Sequence, residues 1–177
     1  MFSHARETCG RMHQFLGSHQ NRLDAKGRVS VPASFRAVLR ETGNTNGTGI
    51  QLVLRPSHFH SCIEAWPVSK FETLATPLEH YSPLSAEHED LAASLYADAY
   101  PVEADKEGRI LIPDQLAAHA GLTEAVVFMG MGTTFQIWEP AAADRRRAEA
   151  RTRARDLAPP GTPSGAPSGT PLRAGTP

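Results

Sequence analysis

The segment Asp24-Ala25-Lys26-Gly27-Arg28-Val29-Ser30-Val31-Pro32 is matched 81 positions later by Asp105-Lys106-Glu107-Gly108-Arg109-Ile110-Leu111-Ile112-Pro113. Each copy begins with Asp-x-x-Gly-Arg, continues as a short alternating apolar segment and ends on proline. A long pattern that returns at one fixed offset indicates a tandem duplication. The sequence therefore predicts a protein built from two related halves.

The Asp-to-Arg segment of each half predicts a hairpin with a three-residue turn. Aspartate favours the position before a type I turn, and Gly27 or Gly108 supplies the left-handed conformation that closes such a loop. Pro32 and Pro113 predict that a helix begins at proline, because the first turn of a helix needs no amide hydrogen there.

Each predicted helix ends at a glycine, and two short strands follow it. Gly43 and Gly121 are the predicted helix stops. The predicted strands are residues 50–54 and 62–66 in the first half and 126–129 and 135–138 in the second. A unit of this size with one short helix is marginally stable alone, so we expect the halves to share one core. The predicted fold class is mainly β with short helices (α+β).

Composition changes along the chain divide it into six predicted segments. In order they are an irregular N-terminal extension (1–14), a first repeat (15–76), an acidic helical connector (77–99), a second repeat (100–143), the end of a basic helix (144–158) and a Pro/Gly/Thr-rich tail (159–177). Ser85 is the predicted cap of the connector helix over 85–99. The tail cannot bury enough apolar surface to fold, so we expect it to be disordered.

Charge is unevenly distributed, although the formal net charge is only −1. Residues 1–76 contain nine basic and five acidic side chains, whereas residues 77–105 contain seven acidic side chains and no lysine or arginine. Residues 106–177 again have a basic excess, nine against seven. Because binding depends on local charge, both halves remain compatible with a nucleic-acid partner. The two cysteines, Cys9 and Cys62, give no disulfide framework and fit a reducing cytosol.

The doubled Asp-x-x-x-Arg block, followed by an apolar strand and proline, resembles the SpoVT-AbrB type of DNA-binding domain. Two copies preceded by Phe15-x-Gly17 and Leu23, with Ala120-Gly121-Leu122 after the second helix, resemble the MraZ family of bacterial transcriptional regulators. This resemblance implies two AbrB-like halves that form a pseudo-symmetric swapped-hairpin β-barrel, and chains that assemble into a homo-oligomeric ring. It further implies a cytoplasmic, nucleoid-associated repressor that binds repeated sites in double-stranded DNA, at the promoter of a division and cell wall gene cluster that includes its own gene.

The loop residues suit contact with DNA. Glycine allows close approach of the backbone, lysine is a flexible charge for phosphate, and arginine can present two donors to guanine O6 and N7. The predicted DNA-binding residues are Lys26, Gly27, Arg28, Lys106, Gly108 and Arg109. Asp24 and Asp105 are predicted to fix the turns, by facing the arginine of the same loop. Glu107 stands where the first loop has Lys26, so we expect the first loop to contribute more of the affinity.

Other functions have weaker support in the sequence. His58, His60 and Cys62 alternate along a strand, but a zinc site needs four ligands and no second cluster accompanies them. The arginine run at 145–155 indicates a solvated helix face or a secondary contact to DNA or a neighbouring subunit. No phosphate loop, nucleophile elbow, cofactor motif, small-molecule site or membrane span is evident, so we do not expect an enzyme. The alternative function is an AbrB-like antitoxin or adaptor that mainly binds a protein partner.

Overall fold

The computed structural model describes residues 13–42, 45–46 and 49–157, and over this part the chain is a mixed α+β protein with a mainly antiparallel sheet. The strands are β1 (Ser18–Arg22), β2 (Arg28–Ser30), β3 (Thr45–Asn46), β4 (Gly49–Pro56), β5 (Ile63–Pro67), β6 (Tyr100–Glu103), β7 (Arg109–Leu111), β8 (Ala125–Gly130) and β9 (Phe135–Trp138). The helices are α1 (Ala33–Glu41), α2 (Val68–Thr73), α3 (Ala86–Tyr96), α4 (Asp114–His119) and α5 (Pro140–Asp156), with a 3₁₀ helix at Thr76–His80. The predicted α+β class is confirmed.

The first strand of each half pairs with a strand of the other half. β1 lies antiparallel to β8, with Gln20 opposite Val127, and β6 lies antiparallel to β4, with Val102 opposite Leu52. β5 and β9, the last strands of the two halves, are neighbours at the centre of the sheet. Because β1 extends the strands of the second half and β6 those of the first, each half completes the sheet of the other.

A closed barrel is not found in the described part of the chain. The large sheet runs β1-β8-β9-β5-β4, with β3 and β6 both paired to β4, while β2 and β7 form a separate two-stranded sheet. In the described residues β1 pairs only with β8 along its length, so the hydrogen-bonded path has an open end. The barrel implied by the resemblance is therefore not seen as a closed ring of strands, although strands are exchanged between the halves.

The core is shared by the halves, as the small size of each half predicts. Phe35 on α1 lies with its ring centroid 5.2 Å from that of Phe15, 5.1 Å from that of Phe135 and 6.4 Å from that of Phe128. All four side chains are at most 1% exposed. Around them pack further fully buried side chains from both halves, including Leu39, Leu52, Leu54, Ile63, Ile110, Ile112, Leu116 and Ile137.

Proline precedes the helix in both halves rather than opening it. Pro32 and Pro113 have ψ angles of 140° and 139°, so both are extended and occupy the cap position before α1 and α4. The prediction was wrong by one residue, because the φ of proline suits a cap as well as a first turn and its carbonyl still accepts a helical hydrogen bond. The Pro32 carbonyl accepts from the Arg36 N–H at 2.9 Å.

The end of α4 confirms the predicted glycine stop. Gly121 has a φ of +62°, and the Leu122 N–H donates back to the Ala117 carbonyl at 2.9 Å. This is a Schellman ending, in which the left-handed residue lets the chain turn and cap the helix. The corresponding stop predicted at Gly43 lies outside the described residues, as do the N-terminal extension up to residue 12 and the tail from residue 158.

The predicted connector helix is present, and it is shorter than predicted. α3 is capped by Ser85, whose Oγ accepts from the His88 N–H at 3.1 Å, and it ends at Tyr96 rather than at residue 99. α2 and the 3₁₀ helix were not predicted. The described residues up to Asp144 form one compact unit, and the part of α5 from Arg145 belongs to a second. None of the described helices has the length and apolar character needed to cross a bilayer.

Candidate nucleic-acid interface

The first loop, residues 24–28, is organised by the carboxylate of Asp24. Its Oδ1 accepts hydrogen bonds from the N–H groups of Lys26 at 2.9 Å and Arg28 at 2.8 Å, and its Oδ2 accepts from Arg28 Nε at 3.0 Å. The Gly27 N–H donates to the Asp24 carbonyl at 3.0 Å, and Gly27 has a φ of +76°. The predicted three-residue turn and its left-handed glycine are confirmed.

The second loop, residues 105–109, repeats this geometry. Asp105 Oδ1 accepts from the N–H groups of Glu107 at 3.0 Å and Arg109 at 2.8 Å, and Oδ2 accepts from Arg109 Nε at 2.8 Å. Gly108 has a φ of +78°. Every one of these bonds lies within five residues, which is why the Asp-x-x-Gly-Arg pattern predicts the turn. The structural role predicted for the two aspartates agrees with this geometry.

The loops differ in the partners of their arginines. Arg109 Nη2 donates to the Glu107 carboxylate at 3.2 Å, in addition to the bond of Nε with Asp105. In the first loop, Arg28 donates through Nε to Asp24 alone, and its two Nη groups have no hydrogen-bond partner in the described part of the chain. Lys26 and Lys106 are both exposed at the tips. Arg28 is thus the arginine with more donors left for a ligand.

Strands β2 and β7 join the two loops into one surface. The strands pair antiparallel with Val29 opposite Ile110. At the two ends, the Val31 N–H donates to the Gly108 carbonyl and the Ile112 N–H donates to the Gly27 carbonyl, both at 2.9 Å. These two bonds are equivalent under the 81-residue offset, so each half anchors the loop of the other half by the same contact.

The two faces of the β2–β7 pair have opposite character. Val29 and Ile110 are at most 1% exposed and belong to the core. Side chains alternate along a strand, so the residues on either side of them share the outer face. That outer face contains Arg28, Ser30, Arg109 and Leu111, and Leu111 is 56% exposed. Both predicted arginines therefore lie on one outward face.

The hydrogen bonds of the loops also shift the pKa values of three of their side chains. The pKa of Asp24 is lowered, mainly by the Arg28 N–H and also by the Arg28 side chain, against an opposing effect of desolvation. The pKa of Asp105 is lowered in the same way, mainly by the Arg109 N–H. Hydrogen bonding to Asp105 raises the pKa of Arg109. The folded loops therefore keep both aspartates ionised to a lower pH than an ordinary aspartate.

Arg36, on α1 of the first half, lies on the second loop. Its Nη1 donates to the Glu107 carbonyl at 3.2 Å. A Cβ at Gly108 would lie 2.2 Å from Nη1 and 2.5 Å from Cδ of Arg36, so a larger residue at position 108 would displace the Arg36 side chain from this place. The sequence pattern does not identify Arg36, because the feature that distinguishes this residue is its contact with the loop of the other half. The duplication offers one hint, since the matching position on α4 is Ala117.

The two histidines considered as metal ligands contact parts of the fold other than these loops. His60 contacts Trp138, with ring centroids 5.6 Å apart, and His58 is 3.4 Å from the hydroxyl of Ser94. Over residues 13–42, 45–46 and 49–157, no group of three histidine, cysteine or carboxylate side chains is placed to hold a metal ion. The arginine run at 145–155 lies on α5, mostly exposed.

Comparison with known proteins identifies relatives along most of the chain. The family model described as "MraZ protein, putative antitoxin-like" matches residues 14–93 and 95–153. A protein of Gluconacetobacter diazotrophicus named Transcriptional regulator MraZ is 62% identical over 147 residues, which cover 83% of this chain and 92% of that protein. Proteins of the same name are 61% identical in Gluconobacter oxydans (83% and 88% covered) and 39% identical in Xanthobacter autotrophicus (82% and 90% covered).

Proposed function

The chain belongs to the MraZ family, and from this premise we propose that it is a sequence-specific DNA-binding transcriptional regulator. The relatives carry the name of transcriptional regulators, and the proposal extends that role to this chain. It assigns no reaction and no cofactor to the protein, and it places the protein in the cytoplasm with the nucleoid.

The observation that carries the proposal is the outward face of the β2–β7 pair. Two preorganised loops, each closed by an aspartate and a left-handed glycine, are tied to each other there and present exposed lysines at their tips. Because its loops are already ordered, such a surface can bind DNA without the entropic cost of ordering them. The Asp–Arg pair inside each loop also supports the proposal, because the aspartate holds the arginine guanidinium in one orientation for base recognition.

Arg28 is the residue to which we assign sequence recognition. Its Nη groups are not engaged elsewhere in the described residues, so they are available to guanine O6 and N7 in the major groove. We assign Lys26 to phosphate. In the second loop the Glu107 carboxylate occupies Arg109 Nη2, which supports a smaller contribution from that loop to affinity.

The wider biological role in the proposal derives from the family resemblance. It comprises repression of a division and cell wall gene cluster that includes the protein's own gene, and binding to repeated promoter sites by a ring of several copies. Each copy would engage one repeat, and the linked contacts would raise affinity by avidity. A swapped-hairpin arrangement of the AbrB-like halves belongs to the same proposal, and the exchange of β1 and β6 between the halves supports it.

A binding titration at about 150 mM salt tests the proposal, because affinity for DNA is defined only at a stated salt concentration. It compares duplex DNA from upstream of the protein's own gene with scrambled duplex of equal length. We expect the wild type to prefer the upstream DNA, and Arg28→Ala to lose that preference. Loss of one bidentate base contact reduces discrimination by about 1–3 kcal/mol at each site.

Lys70→Ala provides the matched control, because Lys70 is exposed on α2 and its removal changes the net charge by the same amount. This variant should keep the preference for upstream DNA. Equal and weak binding of the wild type to both DNAs would contradict the proposal. In that case the antitoxin-like or adaptor function, with a protein as the main partner, becomes the leading hypothesis.

A further inference from the structure

The second loop has no net positive charge of its own. Residues 24–28 contain two basic side chains and one acidic one, whereas residues 105–109 contain two of each, because Glu107 replaces a lysine. Phosphate contacts dominate the affinity of proteins for DNA, and a neutral loop contributes little to them. The second loop therefore needs a further cation if it is to bind DNA as the first loop does.

Arg36 lies where such a cation would act. Its guanidinium packs on Gly108 and donates to the Glu107 carbonyl at 3.2 Å, although Arg36 belongs to the other half of the duplication. With Arg36 included, the second loop carries the same net charge as the first. The first loop has no counterpart, because alanine occupies the matching position on α4.

The contacts of Arg36 are incomplete for a purely structural residue. Its Nε is buried without a hydrogen-bond partner, and in the described part of the chain no carboxylate pairs with its guanidinium. A single bond to a backbone carbonyl uses one of five donors. Arginine is always charged in proteins and suits phosphate oxygens, which accept from several of its N–H groups at once.

We propose that Arg36 is a DNA-binding residue that supplies the phosphate contact of the second loop in place of the charge cancelled by Glu107. The inference rests on the proposed function, and it makes the second binding element a joint product of both halves. A DNA-binding role requires the positive charge of Arg36, whereas a purely structural role would need only a hydrogen-bond donor to the Glu107 carbonyl.

The test compares Arg36→Lys, which keeps the charge, with Arg36→Gln, which keeps a donor. Affinity for the upstream duplex is measured between about 50 and 300 mM KCl, since each phosphate contact contributes about 0.9 to the slope of log K against log salt. We expect Arg36→Gln to lower the slope by about 0.9 for each engaged loop, which corresponds to about fivefold weaker binding at 150 mM salt. Arg36→Lys should keep the wild-type slope, and so should the control Lys70→Gln.

A second variant pair links the effect to Glu107, whose side chain is 65% exposed and easily replaced. Adding Glu107→Gln to Arg36→Gln returns the loop to its wild-type net charge and should recover most of the lost affinity. Thermal melting of each variant confirms that it is folded. If the Arg36→Gln variant bound DNA like the wild type, the inference about Arg36 would be overturned and the proposed function would stand. Equal losses of affinity in Arg36→Lys and Arg36→Gln would have the same meaning. Failure of the wild type to bind any DNA would instead overturn the proposed function.

Discussion

The exchange of strands predicts that the two halves unfold in one step, and Phe35 is the most informative place to test this. Its ring is 1% exposed and lies within 5.2 Å of Phe15 and 5.1 Å of Phe135, measured between ring centroids. Phe35 belongs to the first half and Phe135 to the second. Removing the Phe35 ring should therefore destabilise both halves by the same amount.

The magnitude follows from the depth of burial and the number of ring contacts. Truncation of a buried phenylalanine to alanine costs about 3–5 kcal/mol through lost transfer energy and the cavity that remains. Edge-to-face pairs contribute about 0.5–1.5 kcal/mol each beyond burial, and Phe35 makes two with other phenylalanines, so the cost should lie in the upper part of that range. We expect Phe35→Ala to cost about 4–5 kcal/mol. With a urea dependence of about 2 kcal/mol per molar, the unfolding midpoint should fall by about 2 M.

Two tryptophans allow each half to be followed separately. Trp66 lies on β5 of the first half and Trp138 on β9 of the second, and these are the only two tryptophans in the chain. Urea unfolding is recorded by fluorescence in Trp138→Phe and Trp66→Phe backgrounds, each with and without Phe35→Ala. The two reporters should give coincident midpoints in both cases, as a cooperative transition requires.

The control for this experiment is Phe71→Ala. Phe71 on α2 is only partly buried, and its ring contacts Tyr96 at 5.9 Å between centroids. Its loss should cost about 1 kcal/mol, in proportion to the smaller burial. If Phe35→Ala lowered the midpoint reported by Trp66 and left that of Trp138 unchanged, the halves would be independent, and the reasoning from strand exchange would be refuted.

Three further predictions concern the loops and one partly buried ion pair. Because the pKa values of Asp24 and Asp105 are lowered in the folded state, their contribution to stability is present above the unfolded value of about 3.9 and is lost as pH falls through the folded values. The double Asn variant should flatten the dependence of the urea midpoint on pH between about 2.5 and 5, and an unchanged dependence would exclude this source of acid sensitivity. Gly108→Ala forces a side chain into a φ of +78°, so it should cost about 1–2 kcal/mol in thermal or urea unfolding; an unchanged midpoint would show that the loop relaxes. Glu64→Ala removes the carboxylate that lies 3.9 Å from Nε of Arg55, whose side chain is 6% exposed, and because Glu64 is itself 18% exposed the cost should be about 2 kcal/mol, much of which Arg55→Met should restore in the double variant. Additive losses in that double variant would argue against a pair.

The sequence was most informative where the structure depends on neighbours in the chain. The Asp24 carboxylate accepts hydrogen bonds from Lys26 and Arg28, so all the bonds that close this turn lie within five residues. The stop at Gly121 is local in the same sense. In contrast, α2 spans six residues directly after a strand, too few to show helical periodicity, and no side-chain cap marks its start.

The pairing of strands between halves could not be predicted from either repeat. β1 alternates in burial as an edge strand of either half would, and its sequence contains nothing that prefers β8 to a strand of its own half. The choice is made by the shared core, which only both halves together can fill. Arg36 could not be predicted for the same reason, because its contact with Gly108 joins the two halves.

The register of β2 and β7 also limits what one copy of the protein can read. Arg28 is opposite Leu111, and Arg109 lies two residues before Leu111 on the same strand, which makes the two arginines diagonal neighbours. Diagonal neighbours in an antiparallel pair are about 7–8 Å apart. Because successive base pairs of B-DNA rise by about 3.4 Å, this distance spans about two base pairs. If both arginines bind DNA, a single chain reads one short element rather than two half-sites a helical turn apart. Recognition of separated repeats would then require further copies, and this geometric limit is the physical argument for an oligomer in the proposed function.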